Sequence, residues 1–161
     1  MRLSEFTDYT LRVLIFCAAR PQERITVLGL AGALSLSKNH LMKIVHHLAK
    51  TGLVETVRGR GGGLRLLTDP AAICVGDVVR ACENDFRLVE CFDRESNTCT
   101  LTHGCRLKKI LKTALQNFYQ TLDAVTLADL LRPAPKVLVL MRPPVLAQPF
   151  ASANARLRIK R

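Results

Sequence analysis

Three cysteines near the middle of the chain are the residues best suited to chemistry. Cys91, Cys99 and Cys105 lie in one short polar stretch, with seven and then five residues between them. Thiolates are ligands of soft metal centres. Because zinc and iron–sulfur clusters both take four ligands, three cysteines predict a metal site that needs one further donor.

The fourth donor is left open by the spacing, which matches neither a ferredoxin nor a zinc finger. A second subunit could supply it, or the same stretch could, through Glu90, Asp93, Glu95 or His103. Three unrelated cysteines in a polar loop are the alternative. The other three, Cys17, Cys74 and Cys82, accompany apolar helical patterns and are expected to be small buried side chains.

The segments before these cysteines predict a helix-turn-helix. Apolar residues at helical spacing indicate helices over 4–19, 27–34 and 38–51, with Thr26 and Ser37 as the caps of the second and third. Two short strands, 53–57 and 64–67, flank a glycine-rich turn. Asp69 and Pro70 begin a further helix that continues to Cys82.

This arrangement predicts contact with DNA. The exposed start of the third helix offers hydrogen-bonding and basic side chains to a major groove, and arginines at a narrow hairpin tip suit a minor groove. The predicted contacts are Ser37, Lys38, Asn39, His40, Lys43, Arg58, Arg60 and Arg65. A solvated polar helix face is the alternative. A phosphate-binding P-loop is not expected, because the glycines join two strands and no lysine follows them.

A long helix over about 102–125 carries a wide apolar stripe. The stripe could pack on the chain's own core, but pairing with a second subunit is favoured, since two-fold dimers suit palindromic DNA sites. The expected divisions are a winged helix-turn-helix in 1–82, a cysteine-rich loop in 83–105, a dimerisation helix in 106–131 and a tail in 132–161.

The bulk composition agrees with a DNA-binding protein. The formal net charge is +11, and seven of the 24 Lys and Arg lie in residues 132–161, which also hold five of the seven prolines. A basic surplus favours polyanion partners, and the tail is expected to be disordered. No secretory signal or long apolar run is visible, so a cytoplasmic protein with reduced cysteines and no membrane contact is expected.

Taken together, several segments resemble the nitric-oxide-sensing repressors of the IscR-type winged-helix family. The resemblance covers residues 1 to 131 and rests on segments 6–14, 36–43 and 48–54, the glycine-arginine turn 58–63 and the three-cysteine loop. It implies a homodimer with one iron–sulfur cluster per subunit, [4Fe-4S] favoured over [2Fe-2S]. The loop cysteines would be ligands, and Asp8 of the other subunit would complete each site.

One position separates this chain from another branch of that family. The iron–sulfur biogenesis regulators use a histidine three residues after the third cysteine, and this chain has Lys108 there. The sequence therefore predicts a mainly α fold with a small β-hairpin, acting as a nitric-oxide-responsive repressor of a palindromic operator and not as an enzyme. The alternative is a family member that responds to iron or cluster supply through a different cluster or signal.

Overall fold

The computed structural model describes residues 2–59, 61–83 and 85–132, and its elements are mainly helical, as predicted. The helices are α1 Glu5–Ala18, α2 Val27–Leu34, α3 Lys38–Lys50, α4 Val75–Cys82, α5 Arg106–Asp123 and α6 Leu127–Leu130. The strands are β1 Val54–Val57 and β2 Gly63–Leu66, and short 3-10 turns span Pro70–Ala72 and Glu90–Phe92. Within the described residues, none of the helices has both the length and the apolar character needed to cross a membrane.

Helices α2 and α3 form the predicted helix-turn-helix, with both predicted caps in place. The Thr26 hydroxyl accepts a hydrogen bond from the Gly29 amide at 3.0 Å, and the Ser37 hydroxyl accepts one from the His40 amide at 3.3 Å. Between them Ser35 is left-handed, with φ of 54°. Each cap accepts a hydrogen bond from an amide group that has no partner within the helix. Each helix therefore begins directly after its predicted cap residue.

Helix α1 lies at the centre of the core. Val13 and Leu14 on α1 are fully buried, and they join one apolar cluster with Leu41 and Leu48 of α3 and Leu30 of α2. The hairpin and α6 add further buried residues to the same cluster, among them Val54, Leu64 and Leu127. Helix α3 and the later helices α4 and α6 therefore share α1 as their common support.

Strands β1 and β2 form the wing, residues 54–66, and the wing is fixed to the body. Their antiparallel register runs from Val54 opposite Leu66 to Val57 opposite Gly63. Ile25 and Leu64 exchange two backbone hydrogen bonds, each of 2.8 Å. A Cβ added at Gly62 would lie 2.4 Å from the Val57 carbonyl oxygen, so this turn needs glycine there.

Two predicted helix boundaries were wrong for the same reason. The helix predicted from Pro70 to Cys82 is a 3-10 turn followed by α4, and the long helix ends at Asp123 before a separate α6. The Leu127 amide donates to the Ile73 carbonyl at 2.8 Å, and the Val75 amide to the Val125 carbonyl at 3.0 Å. Because these two distant segments pair with each other, neither predicted helix continues through them. Local periodicity in the sequence does not predict such long-range pairing.

A second contact, between α4 and α5, depends on Arg80. Its guanidinium donates two hydrogen bonds of 2.6 Å to the Asp123 carboxylate and lies 4.4 Å from the Tyr119 ring centre. These bonds hold the pKa of Asp123 below its usual range. Gly76 lies directly beneath, and a Cβ there would be 1.9 Å from Asp123 Oδ1.

We expect Gly76→Ala to destabilise the protein. The added methyl group has to displace Asp123 from Arg80, and forcing a methyl group into a filled site costs about 1–3 kcal/mol. Gly32→Ala on α2 is the matched control, because no atom lies within 4 Å of its Cβ position and alanine stabilises a helix by about 0.5–1 kcal/mol over glycine. Thermal unfolding should show a lower melting temperature for the first variant and an equal or higher one for the second. An equal increase in the melting temperature of both variants would contradict the close contact at Gly76.

Candidate metal centre and nucleic-acid interface

The three predicted cysteine ligands lie on one segment between α4 and α5, which we call the cysteine loop, residues 85–105. Cys91 is in the 3-10 turn, Cys99 is in an irregular stretch, and Cys105 caps α5. All three are free thiols and partly exposed. The loop therefore presents three soft donors that no disulfide consumes.

The cysteine loop is held by its own polar contacts. Arg87 forms an ion pair of 2.5 Å with Asp85 and a second with Asp93. Asp93 also accepts hydrogen bonds from the Glu95 amide at 3.0 Å and the Ser96 hydroxyl at 2.7 Å. Hydrogen bonding from Arg87 lowers the pKa of Asp85 to about 2, so this carboxylate stays ionised in moderately acidic solution.

Cys105 has a local feature that suits a thiolate ligand. Its sulfur accepts a hydrogen bond from the Lys108 amide at 3.4 Å, in the first turn of α5. The amide groups at a helix start carry partial positive charge, which is complementary to an electron-rich sulfur. The start of α5 thus supports one of the three donors electrostatically.

The separation of the thiols bears on which metal group they could hold. A tetrahedral zinc site with Zn–S bonds of about 2.3 Å places its sulfurs about 3.8 Å apart. Among the described residues, the three loop cysteines do not form a group whose ligand atoms all lie within 4.8 Å of one another. The three thiols therefore do not form a preassembled tetrahedral site within the described residues.

Two of the four further candidate donors in the cysteine loop, Asp93 and Glu90, already accept hydrogen bonds. Asp93 is bound as described above, and Glu90 accepts a hydrogen bond from the Thr98 hydroxyl at 3.3 Å. Glu95 and His103 are exposed. None of these four groups joins the thiols in a compact ligand set in the described part of the chain.

Asp8 lies on α1, away from the cysteine loop. Its carboxylate is partly exposed and accepts hydrogen bonds of 2.6 and 3.0 Å from Arg12. The surface depression around it is lined by Arg2, Tyr9 and the turn 34–36, among other residues, and no cysteine lines it. Within a single chain, therefore, the structure does not bring Asp8 to the three thiols.

A different group does have compact ligand geometry. Ligand atoms of Cys74, Asp77 and Asp123 lie within 4.8 Å of one another. Arg80 already forms ion pairs with both carboxylates, at 3.3 Å with Asp77 and 2.6 Å with Asp123. Its positive charge occupies the place a metal ion would take, so we interpret this group as the ionic contact between α4 and α5.

The remaining cysteines only partly match the sequence prediction. Cys17 and Cys82 are buried, as predicted, but the prediction that Cys74 is buried was wrong. Cys74 precedes α4 as its cap residue, where its thiol is partly open to solvent. Burial raises the pKa of Cys17 to about 12, with Arg20 offsetting this in part, and burial also raises the pKa of Cys82.

The predicted DNA-contacting residues of α3 are all exposed. They are Ser37, which caps the helix, and Lys38, Asn39, His40 and Lys43. The His40 ring lies 6.1 Å from the Tyr9 ring of α1, centre to centre. The structure thus groups these side chains at the start of α3, the part of a recognition helix that meets base edges.

The wing arginines are in different environments. Arg58 is exposed beside the turn, whereas Arg65 pairs with Glu55 across the strands at 2.5 Å. Arg24 also reaches Glu55, at 3.1 Å. Arg65 is therefore partly neutralised, while Arg58 has no ion-pair partner among the described residues. Arg60 and the predicted disordered tail beyond Arg132 lie outside the described residues.

One exposed residue of α3 was absent from the sequence prediction. Met42 is 54% exposed, although α3 buries Leu41, Ile44, Val45 and Leu48 on its core side. The signal was available in the sequence, because residue 42 falls outside that apolar stripe. A methionine in such a position has little role in the core.

The fold and the exposed groups of α3 and the wing define a winged helix-turn-helix regulator that binds DNA. Comparison with protein families is consistent with this class: the model of the Rrf2 family, described as an iron-dependent transcriptional regulator, matches residues 3–133. The chain belongs to the Rrf2 family.

Two individual proteins with similar sequences support the same family assignment. The HTH-type transcriptional regulator NsrR of Bacillus subtilis is 48% identical over 143 residues, covering 88% of this chain and 98% of that protein. NsrR of Geobacillus kaustophilus is 50% identical over 132 residues, covering 81% of this chain and 90% of that protein.

Solved structures resemble this chain more distantly. IscR of T. potens superposes with a TM-score of 0.63 at 26% identity, covering 81% of this chain and 86% of that one. The oxidised form of Staphylococcus aureus CymR superposes with a TM-score of 0.64 at 27% identity, covering 83% and 98%. Both likenesses agree with the predicted winged-helix architecture.

The cysteines should differ sharply in reactivity. In the metal-free protein, a short pulse of iodoacetamide at pH 8 should alkylate Cys91, Cys99 and Cys105, because their sulfurs are partly open to solvent. Cys17 should react only in urea, since it is buried and its raised pKa leaves almost no thiolate. Mass spectrometry of peptides measures each site, and alkylation of Cys17 as fast as Cys91 would contradict the packing of α1.

Proposed function

We propose that this regulator is a repressor whose affinity for its operator depends on an iron–sulfur cluster that reacts with nitric oxide. The observation that carries the proposal is the set of three accessible thiols, Cys91, Cys99 and Cys105, on one loop of a DNA-binding chain. The similarity to the bacterial regulators NsrR supports the same function. The protein would act in the cytoplasm, where its operator DNA is found.

The same three thiols would hold the cluster, [4Fe-4S] in preference to [2Fe-2S], and Asp8 of a partner subunit would complete the site. When bound, the cluster supplies iron that nitric oxide can attack, and a carboxylate ligand is a weaker partner for such iron than a thiolate. Asp8 is accessible to a partner because its side chain is 44% exposed; a ligand bond would replace at least one of the two hydrogen bonds that it accepts from Arg12. Its position on α1 links the site to the recognition helix.

That link consists of direct contacts. The residue after Asp8 is Tyr9, whose ring lies against His40 at the start of α3, and Phe6 packs edge-on against His47 of α3 at 5.3 Å. A ligand bond to Asp8 would therefore restrain α1 and, through these contacts, the reading helix. Coupling of this kind between two sites is typically about 1–3 kcal/mol, or about 5-fold to 150-fold in affinity.

The proposed partner is a second copy of the chain, paired through α5. No residue of α5 is buried in the described structure. Leu107 and Ile110 are 60% and 64% exposed, and Ala114 continues the same face one turn later. Large exposed apolar residues that share one helix face mark a protein–protein contact, and a two-fold pair of α5 helices would place two reading heads on a palindromic operator.

Removing one cysteine should abolish the cluster and the response. Cys99→Ala should bind almost no iron after anaerobic reconstitution, and it should lose specific operator binding, because two thiols do not hold the cluster. Cys74→Ser is the control: it keeps a cysteine-sized polar residue at a helix cap, where serine is favoured. The measurements are iron content, the visible spectrum before and after nitric oxide, and operator affinity. Full operator affinity in Cys99→Ala would contradict the proposal.

The role of Asp8 across the dimer is tested by complementation. Neither Cys99→Ala nor Asp8→Ala homodimers contain a complete site. A heterodimer of the two has one complete site only if Asp8 acts on the partner's cysteine loop. Co-expressed subunits with different affinity tags should therefore recover about one nitric-oxide-reactive cluster per heterodimer. No recovery above either homodimer would show that Asp8 is not a ligand from the partner.

The alternative is a family member that senses iron or cluster supply, or holds a different cluster. The description of the family supports this alternative, because "iron-dependent transcriptional regulator" refers to iron and not to nitric oxide. A cluster that is retained with unchanged operator affinity after stoichiometric nitric oxide, but lost on iron limitation, would establish this alternative in place of the proposed function.

Introducing a charge on the exposed face of α5 should separate the subunits. Ile110→Glu would bury an unpaired carboxylate in the proposed interface, which costs about 3–5 kcal/mol. Gln116→Glu, on the opposite face of α5, is the matched control with the same new side chain. Sedimentation velocity should show monomers for the first variant and dimers for the second. Dimers in both would exclude this face as the interface.

A further inference from the structure

We infer that Met42 is a specificity-determining residue that reads the C5-methyl group of a thymine in the operator. This inference rests on the DNA-binding function of α3. It assigns a base-reading role to an apolar side chain, in addition to the polar side chains already predicted to contact DNA.

The first support is the position of Met42 on α3. The core side of α3 is formed by Leu41, Ile44, Val45 and Leu48, and Met42 is 54% exposed outside that side. Met42 lies one turn after Lys38 and Asn39, which are exposed at the start of the helix. At about 100° per residue, these three side chains share one flank of the N-terminal half of α3.

The second support is the contrast between the two sides of this exposed surface. His40 lies against Tyr9, and Lys43 lines a depression with Glu5, so both approach α1. Met42 lines none of the described depressions near α1 and takes no part in the core cluster. It is also the single large apolar side chain of α3 with such exposure. Its surface is therefore available to a macromolecule that approaches the start of the helix.

The third support is chemical. In a B-DNA major groove the thymine methyl is the apolar group displayed among donors and acceptors, and proteins read it through apolar contact. The thioether of methionine is flexible and polarisable, which suits a contact whose exact position depends on the neighbouring base pairs. The exposed basic residues Lys38 and Lys43 on the same helix match the phosphate charge of DNA, so the exposed surface of α3 favours DNA as its partner.

The first experiment identifies the operator and the position that Met42 reads. The full chain, reconstituted anaerobically, selects sites from a random double-stranded DNA library, and Met42→Ala and Leu67→Ala are selected in parallel. Leu67 is an equally large exposed apolar residue outside α3. We expect the original chain and Leu67→Ala to enrich the same palindrome, with one thymine per half-site that Met42→Ala no longer prefers.

The second experiment removes the methyl group from DNA. Deoxyuridine replaces that thymidine in both half-sites, leaving base pairing unchanged. The original chain should lose affinity about threefold to fivefold per half-site, the effect of burying one methyl group. Met42→Ala, which should still bind because its phosphate contacts remain, should be insensitive to the replacement.

The outcomes separate this inference from the function on which it rests. If the original chain enriches a palindrome but Met42→Ala enriches the same one, or if deoxyuridine weakens both proteins equally, the role of Met42 is overturned while DNA recognition stands. If no sequence is enriched by the original chain, both the operator-binding function and the role of Met42 are overturned.

Discussion

The burial of α1 is the constraint on which the other elements depend. One side of this helix supplies Val13, Leu14 and Cys17 to the core, and α3, α4, α6 and the hairpin pack around it. Because that side is committed to packing, Asp8 and Arg12 are left on the outer side, where another molecule can reach them. One helix therefore supports the reading helix internally and offers a carboxylate externally, and a displacement of α1 would alter both surfaces.

The proposed metal site draws its ligands from two separate elements, which form no compact ligand set within the described residues of one chain. The cysteine loop supplies three thiols from the segment before α5, whereas Asp8 belongs to the depression beside the α2–α3 turn. The exposed apolar face of α5 lies next to the loop in sequence. If two α5 helices pair as proposed, the dimer contact and the metal site become parts of one arrangement, and loss of a ligand bond changes how the two reading heads are held.

The contact among Arg80, Asp123 and Gly76 shows how the C-terminal half is held to the DNA-binding half. The guanidinium binds the last residue of α5, lies over Tyr119 and also reaches Asp77 on its own helix. Gly76 lets the helices approach closely enough for this fork to form. The backbone hydrogen bonds that pair residues 73–75 with residues 125–127 join the same two parts of the chain. The far end of α5 is thus anchored to α4, while its start, next to the cysteine loop, is packed less closely.

Local signals in the sequence determined the elements that depend on neighbouring residues. The caps at Thr26 and Ser37, the apolar stripe of α3, the glycine turn and the three-cysteine spacing predicted the helix-turn-helix, the wing and the candidate ligands. Contacts between distant residues were decided only by the tertiary structure. The break after Ala72 depends on pairing with 125–127, Cys74 is partly exposed because it caps α4, and Arg65 is neutralised by Glu55 across the hairpin. Periodicity predicts which residues share a face of one helix or strand, but it does not predict which other element packs against that face.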